Sequence, residues 1–170
     1  MKTISIILFI LLAEAFLFLN CAQNTENGFK IIKESHDRMY YEDINIEKYK
    51  SYPKDSLGNN LNLYGIKFNS RDKLTCLEKS IFNPEERGQI QRYGRRTALA
   101  LFTIEATSGN IVGVSFVFRN IDDSFSVNSE KLAKYRDKIK GNIKYNSLSF
   151  EGGEEVISGY FQQILPVFID

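Results

Sequence analysis

Few residues in this chain have types and spacing that suggest chemistry. The single histidine, His36, stands in Glu34-Ser35-His36-Asp37. A Ser-His-Asp relay is defined by geometry, and sequence neighbours on a helix or strand point different ways. His36 therefore reads as a solvated side chain. The cysteines are Cys21 and Cys76, too few for a disulfide scaffold or a thiolate zinc site. Cys76 reads as a small buried apolar residue. Glu151, Glu154 and Glu155 flank Gly152-Gly153. Two facing carboxylates there would serve a small envelope hydrolase as acid and base, whereas a solvated acidic turn is the ordinary reading. Arg87, Arg92, Arg95 and Arg96 gather with Tyr93 in residues 84–96. Guanidinium groups in such a cluster contact an anion, a lipid headgroup or a partner; pairing with Glu85 and Glu86 in a solvated loop is the alternative. No catalytic group, cofactor or metal ligand is singled out.

Cys21 takes its meaning from what precedes it. Lys2 leads an apolar run from Ile4 to Leu19 that carries one carboxylate, Glu14. This is the pattern of an export signal, shorter than the ~20 apolar residues of a membrane span. Phe18-Leu19-Asn20-Cys21 resembles the lipobox of bacterial lipoproteins, with Asn20 where a small residue is usual. The resemblance implies a signal peptide over 1–20 and lipidation of Cys21. Acyl chains contribute ~0.8 kcal/mol per buried CH₂, so two or three of them hold a protein durably in a membrane. A plain cut after Ala15 and an uncleaved anchor are the alternatives; without lipidation, a Cys21–Cys76 disulfide becomes available in an oxidising envelope. Residues 21–28 are polar and end in Gly28, which reads as a tether.

The elements beyond the tether follow from periodicity. Residues 29–56 balance six basic against six acidic side chains and hold Tyr40, Tyr41, Tyr49 and Tyr52; helix and strand templates fit them equally. Residues 61–68 alternate as a strand. Ser70 and Asp72 open a helix with Leu74, Leu77 and Ile81 on one face, which Pro84 stops. Residues 97–106 and 111–119 are β-rich runs joined by Thr107-Ser108-Gly109-Asn110, a hairpin. Ala100, Phe102 and Ile104 share one face, as do Val112, Val114, Phe116 and Phe118. Asn128 caps a helix with Leu132, Tyr135 and Ile139 as its stripe, Val127 as staple and Gly141 as its end. Residues 156–169 form a last strand, in which Pro166 marks an edge or an end.

The order hairpin, helix, strand over residues 84–169 resembles the C-terminal domain of TonB and related periplasmic modules. Leu101-Phe102-Thr103-Ile104-Glu105 and Gly109-Asn110-Ile111-Val112-Gly113-Val114 match its strand–turn–strand signature. Ile164-Leu165-Pro166-Val167-Phe168-Ile169 is similar to its Pro-Ile-x-Phe close, and Asn83-Pro84-Glu85 lies where a Tyr-Pro element precedes the first strand. The resemblance implies an α+β domain over 29–170, with an antiparallel sheet of about three to four strands and one or two helices packed on one face. TonB-like coupling to an outer-membrane receptor would come with it, but the proline-rich spacer of a transducer is missing from this chain of 3 prolines.

Composition sets the limits. The 170 residues are 43% hydrophobic and carry a net charge of +1. Residues 1–20 hold one basic and one acidic side chain, so the balance survives their removal. A neutral chain of this kind builds a core and has no global field for nucleic acid. The expectation is a lipid-anchored, non-enzymatic binding module of the bacterial envelope, in the outer membrane rather than the inner. Its membrane contact would be the N-terminal lipid, and an envelope protein would bind by adding a strand to a sheet edge.

Overall fold

The computed structural model describes residues 24–66, 68, 70–94, 97–146, 148–150 and 155–169. The strongest sequence signal forms the centre of the fold. Strands β5 (Ala98–Glu105) and β6 (Ile111–Arg119) pair antiparallel. Ala98, Ala100, Phe102 and Ile104 turn inward at 2% exposure or less, as do Val114, Phe116 and Phe118. Gly109 closes the loop at φ +72°, with Tyr145 so close that a Cβ would lie 2.1 Å from its carbonyl oxygen. One register detail differs from strict alternation. Thr103 faces Gly113 while Ile104 faces Ile111, so a bulge at Val112 sends Ile111 into the core and leaves Val112 half-buried.

Three strands extend this hairpin on the β6 side: β1 (Asn24–Glu26), β2 (Phe29–Ser35) and β3 (Arg38–Asp43). On the other side β5 pairs with β8 (Tyr160–Pro166). The result is a six-stranded antiparallel sheet in the order β1-β2-β3-β6-β5-β8. Short strands β4 (Leu63–Ile66) and β7 (Leu148–Phe150) form a separate pair. Helices α1 (Arg71–Lys79), α2 (Pro84–Gln91) and α3 (Ser129–Asn142) complete the described fold.

The α+β class stands, but the expected sheet of three to four strands with one or two helices is corrected to six strands and three helices. Two causes account for the difference. Residues 24–43 supply three strands, yet β2 buries only Phe29 fully and fades from half-buried to exposed along its length, so no clear alternation marks it. Residues 84–91 form α2 where a polar stretch was expected. Asn83 and Glu86 cap each other's backbone there as a capping box, with Pro84 in the first turn. Pro84 thus starts a helix; α1 has already ended at Lys79. Residues 24–28, expected as tether, are folded too: they form β1 and its turn, and Ser129 at the start of α3 donates to Glu26 (2.7 Å) and accepts from Asn27 (2.9 Å).

Helix α3 covers the inner face of the sheet. Asn128 caps it through Lys131 N–H. Leu132, Tyr135 and Ile139 are fully buried, and Tyr135 stacks on Phe116 at 5.8 Å and 17°. Gly141 does not end the helix; the last turn runs on to Asn142. Among the described residues no helix is long and apolar enough to cross a membrane.

Candidate functional site

The outer edge of β8 is a stretch of sheet edge that the described residues leave partly open. In the β5–β8 ladder Ala106 N–H donates to Gly159 and Val167 N–H donates to Ala98. That register turns the backbone groups of residues 159, 161, 163, 165 and 167 toward β5. Tyr160, Gln162 and Ile164 therefore present theirs outward. Part of this edge is taken by the chain itself. Tyr160 N–H donates to Ser51 (2.8 Å), Lys54 N–H to Ser158 (3.0 Å) and Ile157 N–H to Lys54 (2.9 Å). At the far end, the Arg71 guanidinium donates to the Pro166 carbonyl. Among the described residues no hydrogen bond is made to the outward backbone groups of Gln162 and Ile164.

A groove of about 470 Å³ opens beside this stretch. Tyr160, Phe161 and Gln162 form its floor, Tyr49 to Pro53 one wall and Leu61 to Leu63 the other. Tyr49 and Tyr160 meet at 5.0 Å between ring centroids, while Tyr52 stands 71% exposed at the rim. Among the described residues Lys50 is the one cation lining the groove, and it pairs with Glu47.

The walls are held by local chemistry. Asp55 is buried; its Oδ1 accepts from Leu57 and Asn59 N–H, and its Oδ2 accepts from the Asn59 amide. Gly58 at φ +84° completes the turn, and Leu61 N–H returns to Pro53 at 2.8 Å. Arranged in this way, the groove offers aromatic faces, apolar side chains and neutral amides. Such a lining, a preformed hollow with a few convergent polar groups, can hold a ligand by apolar contact and hydrogen bonding.

The residues singled out by sequence lie elsewhere. Arg92 caps the end of α2, where its guanidinium lies over the Tyr93 ring at 4.6 Å and donates to the Tyr93 hydroxyl and to Ser124 (2.8 Å). Asp122 lies 3.9 Å away, and Tyr93 donates to it. Hydrogen bonds from Ser124 and Tyr93 hold the Asp122 carboxyl below the usual carboxylate range. A hollow of about 240 Å³ beside Arg92 is thus lined by a guanidinium already engaged. Arg87 is half-buried on α2. Arg95, Arg96, Cys21, Glu151 and Glu154 lie outside the described residues. Glu155 is exposed on the rim of a different hollow of about 360 Å³, lined by the β5–β6 loop with Tyr145, Asn146, Leu148, Phe150 and Val156.

Of two single residues, Cys76 departs from expectation and His36 is solvated as expected. Cys76, expected to be buried, is exposed on α1, because the helix turns Leu74 inward and Leu77 partly so. His36 is 96% exposed in the β2–β3 turn, 3.8 Å from Asp123. Its neighbours Ser35 and Asp37 bond each other directly at 2.6 Å, so the three form no relay.

Sequence reasoning passed over Gln162, Tyr160 and Asn62. The density of tyrosines between Tyr40 and Tyr52 was the available signal, but nothing local joins Tyr49 to Tyr160; the antiparallel return of β8 does that.

No protein-family model matches the chain, and no curated protein matches it. Among solved structures it is similar to a crystal structure of a DUF5043 family protein from Bacteroides uniformis ATCC 8492. The two are 12% identical, with a TM-score of 0.56 over 82% of this chain and 86% of that one. At that identity the likeness is one of fold alone.

Proposed function

We propose that this protein is an exported, lipid-anchored, non-enzymatic binding module of the bacterial envelope, and that the groove along β8 is its binding face. The observation that carries the second half is the open edge at Gln162 and Ile164 beside a preformed aromatic groove. The first half rests on the signal pattern and on Phe18-Leu19-Asn20-Cys21. A TonB-like kinship of residues 84–169 belongs to the same reading, since β5–β6 and α3 are followed, after the short β7, by β8.

Anchoring would hold the fold close to its membrane. Cys21 precedes Asn24 of β1 by three residues, a reach of no more than about 11 Å. Two experiments test the reading. Mass spectrometry of the mature N-terminus should find an acylated Cys21; an unmodified Cys21 or an uncleaved leader contradicts the anchor. A photo-crosslinker placed at Tyr52 in living cells should give a defined adduct that the same group at Lys33, on β2 across the sheet, does not. Equal labelling from both positions contradicts the groove.

A further inference from the structure

We infer that the groove's ligand is an extended peptide segment, which adds a short strand to β8 at Gln162–Ile164 and seats an apolar side chain between Tyr52 and Leu63. The inference rests on the reading of the groove as the binding face and names its ligand class. Three observations carry it.

First, the edge already works as a pairing rail. Residues 51–54 run along it, bridging Lys54 to Ser158 antiparallel and accepting Tyr160 N–H at Ser51. The chain then leaves the rail: Tyr49 falls in the 3₁₀ turn Ile46–Tyr49. The next outward groups, on Gln162 and Ile164, are the positions an incoming strand would take up. They repeat every second residue, about 6.8 Å apart, the repeat of a peptide's own donors and acceptors and not that of a sugar.

Second, the rail has a defined end. Pro166 offers no N–H, and its carbonyl is held by Arg71. An added strand is thus limited to a few residues, so specificity must come from a side chain.

Third, a receptor for that side chain lies at the start of the rail. Tyr52, Leu61 and Leu63 supply its apolar walls, and Gly159 brings the Tyr52 backbone against β8. With Lys50 paired to Glu47, no uncompensated charge among the described residues lines it, which favours an uncharged apolar group. Backbone bonds for affinity and a pocket for selectivity are the general mode of strand addition.

The test selects binders to the full-length protein from a displayed library of short unconstrained peptides. Selected sequences should share one apolar position in a β-prone context. Gln162→Pro and Ile164→Pro each remove one outward N–H while leaving the ladder to β5 intact, because proline is tolerated at outward-facing edge positions. Each should weaken peptide binding about tenfold, the effect of one hydrogen bond. Gln162→Ala, which keeps the N–H, should stay within about twofold of the parent.

If a proline variant melts early, amide exchange on the unaltered protein decides instead: peptide should slow Gln162 and Ile164. Peptides that bind the proline variants like the parent, or that leave both amides unprotected, overturn the inference. So does a Tyr52-dependent neutral oligosaccharide with no peptide binder, although that result leaves the groove as the binding face. Failure of the crosslink at Tyr52 would instead remove the groove itself.

Discussion

Gly159 and Tyr52 are packed so tightly that a Cβ on Gly159 would lie 2.2 Å from the Tyr52 carbonyl oxygen, and Gly159 holds φ +100°. The contact fastens residues 51–54 to β8 and so sets the width of the groove. Gly159→Ala should therefore both strain the backbone and push the wall away, at a cost of about 1–3 kcal/mol. Gly58 also has a positive φ, +84°, but among the described residues no atom beyond its chain neighbours lies within 4 Å of its Cβ position. Gly58→Ala should cost about 1 kcal/mol and leave the groove in place. Urea denaturation of the two variants, with Tyr49–Tyr160 proximity followed by NMR, separates strain from displacement.

The contrast between the two halves of the fold says what the sequence makes legible. Phe102, Phe116 and Phe118 announce the β5–β6 hairpin because both strands bury one whole face. Asn128, Leu132, Tyr135 and Ile139 announce α3 because cap and stripe agree. Helix α2 has no stripe: Ile90 is its only buried side chain, and its signal is the reciprocal cap of Asn83 and Glu86. Strands β2 and β3 are hidden because charged residues occupy inner-face positions such as Asp43, which is buried and accepts from Asn45. The groove is less legible still, since Tyr52 and Gln162 meet through tertiary structure alone.

Glu86 gives a charge-specific test of α2. Its carboxylate accepts from Lys131 at 2.6 Å and from Asn83 N–H at 2.9 Å, and the Lys131 hydrogen bond chiefly draws its pKa below the ordinary 4.5. A lowered folded-state pKa means that the contribution is complete above about pH 4.5 and is lost as pH falls through the folded value. Glu86→Gln keeps the cap and removes the charge. It should cost about 0.5–1 kcal/mol at neutral pH, and the difference from the parent should shrink as pH falls below the ordinary 4.5. Chemical denaturation across that range measures it.

Buried tyrosines set the alkaline limit. Burial pushes Tyr41 up to about 12 from an ordinary 10.0, and it raises Tyr135 and Tyr145 as well. A raised folded-state pKa leaves their contribution intact below about pH 10 and removes it as pH climbs toward 12. In an ultraviolet titration Tyr41, Tyr135 and Tyr145 should ionise in a late step coincident with loss of the sheet by circular dichroism. Smooth ionisation of all tyrosines in a folded protein would contradict the packing.

Arg92 separates surface charge from binding. Its partners Ser124 and Asp122 are exposed and Tyr93 is partly buried, and exposed pairs contribute little. Arg92→Ala should change stability by no more than about 0.5 kcal/mol and leave ligand capture at the groove unaltered. Thermal melting and the Tyr52 crosslink check the two halves.

The central claim is that the groove along β8 is occupied in the envelope, and hydroxyl-radical footprinting tests it most directly. Oxidation of Tyr49, Tyr52 and Tyr160 is compared between intact envelopes and the purified protein, with Tyr40 on β3 as the internal reference. The three groove tyrosines should be protected in envelopes while Tyr40 oxidises equally in both. Equal oxidation of Tyr52 in the two samples would contradict it.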